Sequence, residues 1–142
     1  MEESNQNEIV GIEVEFALKR NNIVIKGKID RIEKNREDEF EIIDYKTSKT
    51  PMKPDELPES IQLNIYAHAV REKYKKLPQK AILVYLRHKP VVYEVSEQNV
   101  DLVMKSIDNT IVKILNNEFE ATPSSSVCRI CQYKEMCEFA EN

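Results

Sequence analysis

The sequence predicts a mixed α/β domain, from two patterns that follow one another along the chain. Two stretches in the first third place apolar residues with the period of two that is typical of strands, and a shorter apolar run follows them. Beyond them, two longer stretches repeat apolar side chains at helical spacing, with two short apolar runs between them. This order predicts one mixed sheet flanked by helices.

The strand patterns are short and closely spaced. In the first strand, the apolar side chains at even positions from Ile12 to Leu18 are expected to face the core. Asn21 and Asn22 are expected to form the turn that follows, because Asn tolerates positive φ. The short loops between the first three strands predict an antiparallel meander. The predicted strands are residues 9–18, 22–33, 39–46, 81–87 and 91–96.

Two amphipathic helices are predicted. Three prolines within residues 50–58 exclude regular structure there, and the first helix begins at the end of this loop, near Ser60. Its apolar stripe is expected to start with Ile61 and Ile65. The second helix is predicted at residues 97–117, where apolar residues recur at spacings of three and four.

Composition and charge narrow the function classes. Of the 142 residues, 41% are hydrophobic and 32% charged, which is typical of a folded chain. No apolar run reaches the roughly 18 residues that a membrane span needs, and the N-terminal MEESNQNE does not resemble a signal peptide. We therefore expect one cytoplasmic domain over residues 1–142, without membrane contact. The net charge of −4 gives no overall basic field for nucleic acid, although bound metal ions can reverse the sign locally.

The stretch EIIDYKTSK, residues 41–49, places Asp44 and Lys46 two positions apart at the end of an apolar run. Side chains two apart on a strand share a face, and Asp30 on the neighbouring strand can converge on the same edge of the sheet. Two carboxylates suit a hard cation such as Mg²⁺ or Mn²⁺, and Lys46 could orient a water or stabilise charge on a phosphoryl group. The alternative is a surface ion pair between Asp44 and Lys46 that contributes little.

Gln62 and Tyr66 lie four positions apart on the first predicted helix, and hence on one face. In the functional interpretation this face is directed at the carboxylates and binds a DNA phosphate or a metal-bound water. In the alternative the pair lies on a solvated flank of the helix.

Cys128, Cys131 and Cys137 are the chain's three cysteines, and all lie in its last fifteen residues. Their odd number and close spacing favour metal or cluster ligation over a disulfide framework. Reduced cysteines without a metal are the alternative, since a structural zinc site or a cubane cluster needs four ligands.

Four segments, in this order, resemble the PD-(D/E)XK nuclease superfamily. They are similar to its RecB-like branch, to the nuclease-like domain of UvrD/Rep-type helicases and to the CRISPR-associated and AddB-type iron–sulfur nucleases. The resemblance implies DNA phosphodiester hydrolysis with Mg²⁺ or Mn²⁺. The segments are GKIDRIE (27–33), IIDYKTS (42–48), QLNIYA (62–67) and CRICQYKEMC (128–137).

The resemblance assigns roles to individual residues. Asp30 matches the first aspartate ligand of the family, and Asp44 matches the acidic residue of its D/E-x-K motif. Lys46 matches the catalytic lysine, and the backbone carbonyl of Tyr45 is expected to complete the metal shell.

Three further residues match the family. Gln62 and Tyr66 match its Q-x-x-x-Y motif. Glu13 lies in an E-x-x-F setting that resembles the strand glutamate of the family, and it is a candidate metal ligand. The alternative is that Glu13 faces solvent.

The chain departs from the family pattern in two ways. The family core is αβββαβ, and its first helix often carries a His or Glu ligand, whereas this sequence starts at the first strand. The triplet of cysteines within residues 120–142 would hold a [4Fe–4S] cluster together with a fourth cysteine from upstream of that helix. In this chain the cluster could also be lost or replaced by zinc. We therefore expect a piece of a longer protein, with weak or no nuclease activity of its own.

The resemblance implies a metal-dependent DNA nuclease domain that works beside a helicase in DNA repair or recombination, with DNA and the helicase domain as partners. The alternative is a non-catalytic DNA-binding or scaffolding module that keeps the nuclease fold and is stabilised by the cluster.

Overall fold

The computed structural model of the chain describes residues 7–141. The N-terminal MEESNQ, which includes most of the stretch considered above for a signal peptide, lies outside the described residues. The contacts divide the chain into two compact units, Met1–Ile111 and Val112–Asn142. Each unit is described by itself, and one domain over residues 1–142 stays a prediction.

The five strands and the two long helices follow the predicted order, and their bounds differ from the predicted ones by at most two residues. One-turn 3₁₀ helices lie at Leu57–Glu59 and Lys134–Met136. The longer elements are β1 (Glu8–Arg20), β2 (Ile23–Lys34), β3 (Phe40–Lys46), α1 (Ile61–Tyr74), β4 (Lys80–Tyr85), β5 (Val91–Glu94), α2 (Glu97–Leu115) and α3 (Ser125–Ile130).

The five strands form one sheet in the order β1-β2-β3-β4-β5. The pairs β1–β2 and β2–β3 are antiparallel, as the predicted meander requires. The pair β3–β4 is parallel, because α1 carries the chain back to the edge of the sheet at which β3 begins. The pair β4–β5 is again antiparallel. The predicted mixed sheet with flanking helices is confirmed.

The core lies on one face of this sheet. Ile32, Ile42 and Leu83 are fully buried there, in one cluster with Leu63 of α1 and Val100 of α2. Burying an aliphatic side chain of this size contributes about 1.5–3 kcal/mol. This packing fixes α1 across the end of β3, where the candidate site lies.

Two predicted core positions are wrong. Ile12 is 65% exposed, because the inward face of β1 switches beside it, and Ile61 is 61% exposed at the start of α1. The inward face of α1 also carries the buried polar residues Asn64 and His68. The rest of the predicted stripe, Ile65 with Ala69 and Val70, does pack against the core, so only its first residue was misplaced.

The loop before α1 contains one turn of regular structure, so the expectation from its three prolines is wrong there. Pro58 lies in the 3₁₀ turn Leu57–Glu59, where its missing N–H has no consequence because the first turn of a helix leaves such groups unpaired. Among the helices of residues 7–141, none is long and apolar enough to cross a membrane.

Candidate functional site

The ends of β2 and β3 bring Asp30 and Asp44 together. The two strands pair in a register whose last partners are Arg31 and Ile43, and one further step sets Asp30 opposite Asp44. The backbone N–H of Tyr45 donates to Asp30 Oδ2 over 2.9 Å, which holds the Asp30 carboxylate against β3. The convergence expected from the sequence is present.

Asp44 and Lys46 form an ion pair that is not on the surface. Lys46 Nζ lies 2.7 Å from Asp44 Oδ2, and the Asp44 side chain is only 4% exposed. Apart from this ammonium, no group among the described residues donates to Asp44 Oδ2. A buried carboxylate oxygen in this state can still accept a ligand.

The first turns of α1 supply the other half of the site. Ser60 caps the helix by accepting from the Leu63 N–H, which starts α1 where Gln62 and Tyr66 share one face. Lys46 Nζ donates to Gln62 Oε1 over 2.5 Å, and Gln62 Nε2 donates to the Tyr66 hydroxyl over 3.0 Å. The four side chains from Asp44 to Tyr66 therefore form one continuous chain of contacts.

Burial dominates the electrostatics of the site. It raises the pKa of Asp44, with the ion pair to Lys46 opposing and the nearby Asp30 charge adding to the shift. Burial also raises the pKa of the Tyr66 hydroxyl, the hydrogen bond from Gln62 opposes this, and the charges of Asp44 and Asp30 add to it. The site thus has an excess of negative charge, which a cation would compensate.

Glu13 lies apart from this chain of contacts. Its side chain is 72% exposed, and its carboxylate is 3.6 Å from the Lys28 ammonium. Its backbone is unusual, with a φ of 49° in the left-handed region. Its role as a metal ligand stays a prediction, as do the roles of the other site residues.

Sequence reasoning missed Phe16 and Gly27. The Phe16 ring meets the Tyr66 ring edge to face, with centroids 5.9 Å apart and planes at 76°. A Cβ on Gly27, the cross-strand partner of Phe16, would lie 2.3 Å from the Phe16 ring, so the glycine makes room for it. The signal available in the sequence was a glycine inside the second predicted strand, since such a glycine often marks the close approach of a neighbouring group.

The three cysteines belong to the second unit. Cys128 lies in α3 and is buried, whereas Cys131 and Cys137 are exposed. In the part of the chain that the structure describes, no three His, Cys, Asp or Glu side chains are grouped so that they could hold a metal ion. The cysteines thus do not fit a cluster by themselves, and the [4Fe–4S] assignment stays a prediction.

The carboxylate pair does fit a hard cation. Asp30 and Asp44 offer oxygen ligands, and among the described residues the buried Asp44 Oδ2 has no partner other than the Lys46 ammonium. Mg²⁺ is commonly held by one or two carboxylates with several waters, so a third side-chain ligand is not required.

The family model of the PD-(D/E)XK nuclease superfamily matches residues 1–138. No curated protein matches the chain.

Two solved structures have a similar fold. The crystal structure of SSO0001 gives a TM-score of 0.53 at 23% identity, over 93% of this chain and 62% of that chain. A putative exonuclease from Eubacterium rectale gives a TM-score of 0.52 at 12% identity, over 93% of this chain and 53% of that chain. The chain thus spans less than two thirds of either structure, and at these identities the likeness shows the fold alone.

Proposed function

Because the chain belongs to the PD-(D/E)XK nuclease superfamily, we propose that it hydrolyses DNA phosphodiester bonds at Asp30, Asp44 and Lys46 with Mg²⁺ or Mn²⁺. The observation that carries the proposal is the buried Asp44 carboxylate, held 2.7 Å from the Lys46 ammonium beside Asp30. A second carboxylate is unfavourable beside an ion pair that serves only stability, because the Asp30 charge raises the pKa of Asp44.

The cation would be held by Asp30, Asp44 and the backbone carbonyl of Tyr45. When bound, it supplies a Lewis acid and a water of lowered pKa. Asp44 is rigid, because it is buried at the end of the paired strand β3. Asp30 is fixed by the Tyr45 N–H, so both carboxylates are oriented before any ligand arrives.

Lys46 is placed to act on the phosphate or the attacking water. Its ammonium touches Asp44 and donates to Gln62, which leaves one donor for a substrate oxygen. Gln62 is itself held by the Tyr66 hydroxyl, so the pair on α1 fixes the direction of the lysine. A positioned cation of this kind stabilises charge that develops on a phosphoryl group.

The wider context is also proposed. The order of the four motifs supports a RecB-like nuclease domain that acts with a DNA helicase in repair or recombination. The spacing of Cys128, Cys131 and Cys137 supports a [4Fe–4S] cluster completed by a ligand from elsewhere in the protein. ATP-dependent unwinding by the purified full-length protein would test the helicase link.

One observation favours the alternative, a non-catalytic DNA-binding module. The described residues hold no group of three acidic or histidine ligands, so the metal site depends on Asp30, Asp44 and a carbonyl. Such a module would bind DNA without cutting it.

The test compares cleavage of single- and double-stranded DNA by the full-length protein, with Mn²⁺ and without it. Lys46→Ala and Asp44→Ala are expected to slow cleavage roughly 100-fold or more, since a positioned acid–base group contributes at least that factor. DNA binding is measured on the same samples by fluorescence anisotropy.

The matched control is Lys76→Ala. Lys76 forms an ion pair with Glu39 at 2.8 Å, away from the site residues, so its loss removes a similar contact without touching the proposed machinery. Cleavage should then stay at the wild-type rate. Equal rates for Lys46→Ala, Asp44→Ala and wild type would show that the assignment is wrong, and binding without any cleavage would favour the non-catalytic module.

A further inference from the structure

Glu13 interrupts the ladder between β1 and β2 opposite Asp30. The register is continuous from Ile12 and Arg31 to Val14 and Ile29, except that the pair Glu13–Asp30 between them is missing. At this point Glu13 has a φ of 49°, which non-glycine residues seldom adopt inside a strand.

The inward faces of both strands switch at the interruption. On β2, Ile25 and Ile29 pack against the core at even spacing, but the next core residue is Ile32, three positions further on. On β1, Val14 packs inward whereas Ile12, two positions away, is 65% exposed. Strict alternation through the pair would have kept Ile12 inside.

The switch decides where Asp30 points. Alternation from the buried Ile29 would place Asp30 on the opposite face of the sheet. With the switch, Asp30 shares the face of Ile32, and its carboxylate accepts from the Tyr45 N–H beside Asp44. Irregular positions in strands are known to redirect side chains next to functional sites.

The Glu13 carboxylate does not explain this conformation. It is 72% exposed and lies 3.6 Å from the Lys28 ammonium, an exposed contact of the kind that contributes little. Since an unfavourable backbone conformation persists only where the surroundings impose it, the backbone of residue 13 is the part that matters.

We propose that Glu13 is a positioning residue whose left-handed backbone turns Asp30 into the metal site beside Asp44. The importance of Asp30 for the metal rests on the proposed function, but its orientation does not.

The experiment varies the conformational freedom of residue 13. Glu13→Gly removes the carboxylate and keeps positive φ accessible, whereas Glu13→Val makes positive φ strongly unfavourable. The first readout is the Tyr45 amide signal in the ¹⁵N–¹H spectrum, with Asp30→Ala as the reference for loss of its hydrogen bond. The second readout is Mn²⁺ affinity by titration calorimetry.

Glu13→Val is expected to move the Tyr45 amide to its position in Asp30→Ala and to weaken Mn²⁺ binding by about 10- to 100-fold, as loss of a ligand's support typically does. Glu13→Gly is expected to leave both readouts at wild-type values. Asn22→Val is the control, because Asn22 has a φ of 66° in the β1–β2 turn, and this change should leave the Tyr45 amide in place. If Glu13→Val does not fold, Glu13→Ala takes its place with a smaller effect in the same direction.

Two results would overturn the proposal. One is an unchanged Tyr45 amide in Glu13→Val, and the other is loss of Mn²⁺ affinity in Glu13→Gly with the Tyr45 amide in place, since the carboxylate would then be the ligand. If the wild type binds no Mn²⁺ and cuts no DNA, the proposed function fails, whereas the amide signal still decides the role of Glu13.

Discussion

At the scale of single residues, the end of β3 carries the Asp44 carboxylate in a buried position that disfavours its negative charge. The Asp44 side chain is 4% exposed, and among the residues described the Lys46 ammonium is the single donor to its Oδ2. Burial raises the pKa of Asp44 above its ordinary value of 3.8 in spite of Lys46. The folded state then binds a proton more tightly than the unfolded chain does. The contribution of Asp44 to stability is therefore most favourable when Asp44 is protonated, and it is lost as the pH rises from the unfolded pKa through the folded one.

Asp44→Asn is accordingly expected to stabilise the protein while it abolishes cleavage. The free energy of unfolding at pH 7 should rise by about 1 kcal/mol, which is a usual gain for a stabilising substitution at a functional residue. The difference from wild type should shrink as the pH falls through the raised pKa of Asp44, because Asp44 takes up its proton. Urea denaturation at several pH values measures both effects.

The control for this experiment is Asp38→Asn. The Lys34 ammonium lowers the pKa of the exposed Asp38, so this charge stabilises the fold and its loss acts in the opposite direction. Asparagine also tolerates the positive φ of 60° at this position. A destabilised Asp44→Asn, or a difference independent of pH, would contradict the expected cost of burial.

At the scale of elements, the sequence predicted those parts of the site that depend on local periodicity. Period two put Asp44 and Lys46 on one face of β3, and a spacing of four put Gln62 and Tyr66 on one face of α1. Local periodicity could not predict the switch at Glu13, because a positive φ at a glutamate has no sequence signal. It also misplaced the start of the inward face of α1, where Ile61 is exposed, since that face carries buried polar residues whose partners lie elsewhere in the fold.

Asn64 shows which long-range contacts orient α1. Its side chain is fully buried, Nδ2 donates to the carbonyls of Pro58 (3.0 Å) and Ser60 (2.8 Å), and Oδ1 accepts from the Tyr93 hydroxyl over 3.2 Å. These bonds connect the start of α1 to the preceding turn and to β5. No local pattern distinguishes such an asparagine from one that faces solvent.

Asn64→Ala is therefore expected to lower the free energy of unfolding by about 2–3 kcal/mol, because it leaves buried polar groups without partners. Tyr93→Phe removes only one of the bonds to Asn64 and should cost about 1 kcal/mol. Urea denaturation at pH 7 compares the two variants. If Asn64→Ala were as stable as wild type, the network would not be what orients α1.

At the scale of the whole molecule, charge limits how DNA could approach. The chain carries a net charge of −4, and within it the site holds two carboxylates beside one lysine. A phosphate backbone would be repelled unless a divalent cation reversed the local sign. Dependence on Mg²⁺ or Mn²⁺ should therefore appear in DNA binding as well as in cleavage.

The cysteine segment also requires an explanation at this scale. The spacing of Cys128, Cys131 and Cys137 predicts ligands, but the described residues do not group them into a metal site. A cluster needs a fourth ligand, and the three side chains can be drawn together only when the full set is present. For this reason the sequence predicts three ligands without identifying a fourth, and the fold of the described residues does not group the three.

The full-length protein, prepared without oxygen, is expected to contain iron and to show a thiolate-to-iron charge-transfer band. Cys131→Ser should remove both, because it takes away one of the four ligands. Asp44→Ala is the control, since it should lose cleavage and keep its iron, which separates the cluster from the hydrolytic site. A colourless protein without iron by elemental analysis would contradict the cluster, and zinc in its place would identify the three cysteines as part of a structural zinc site.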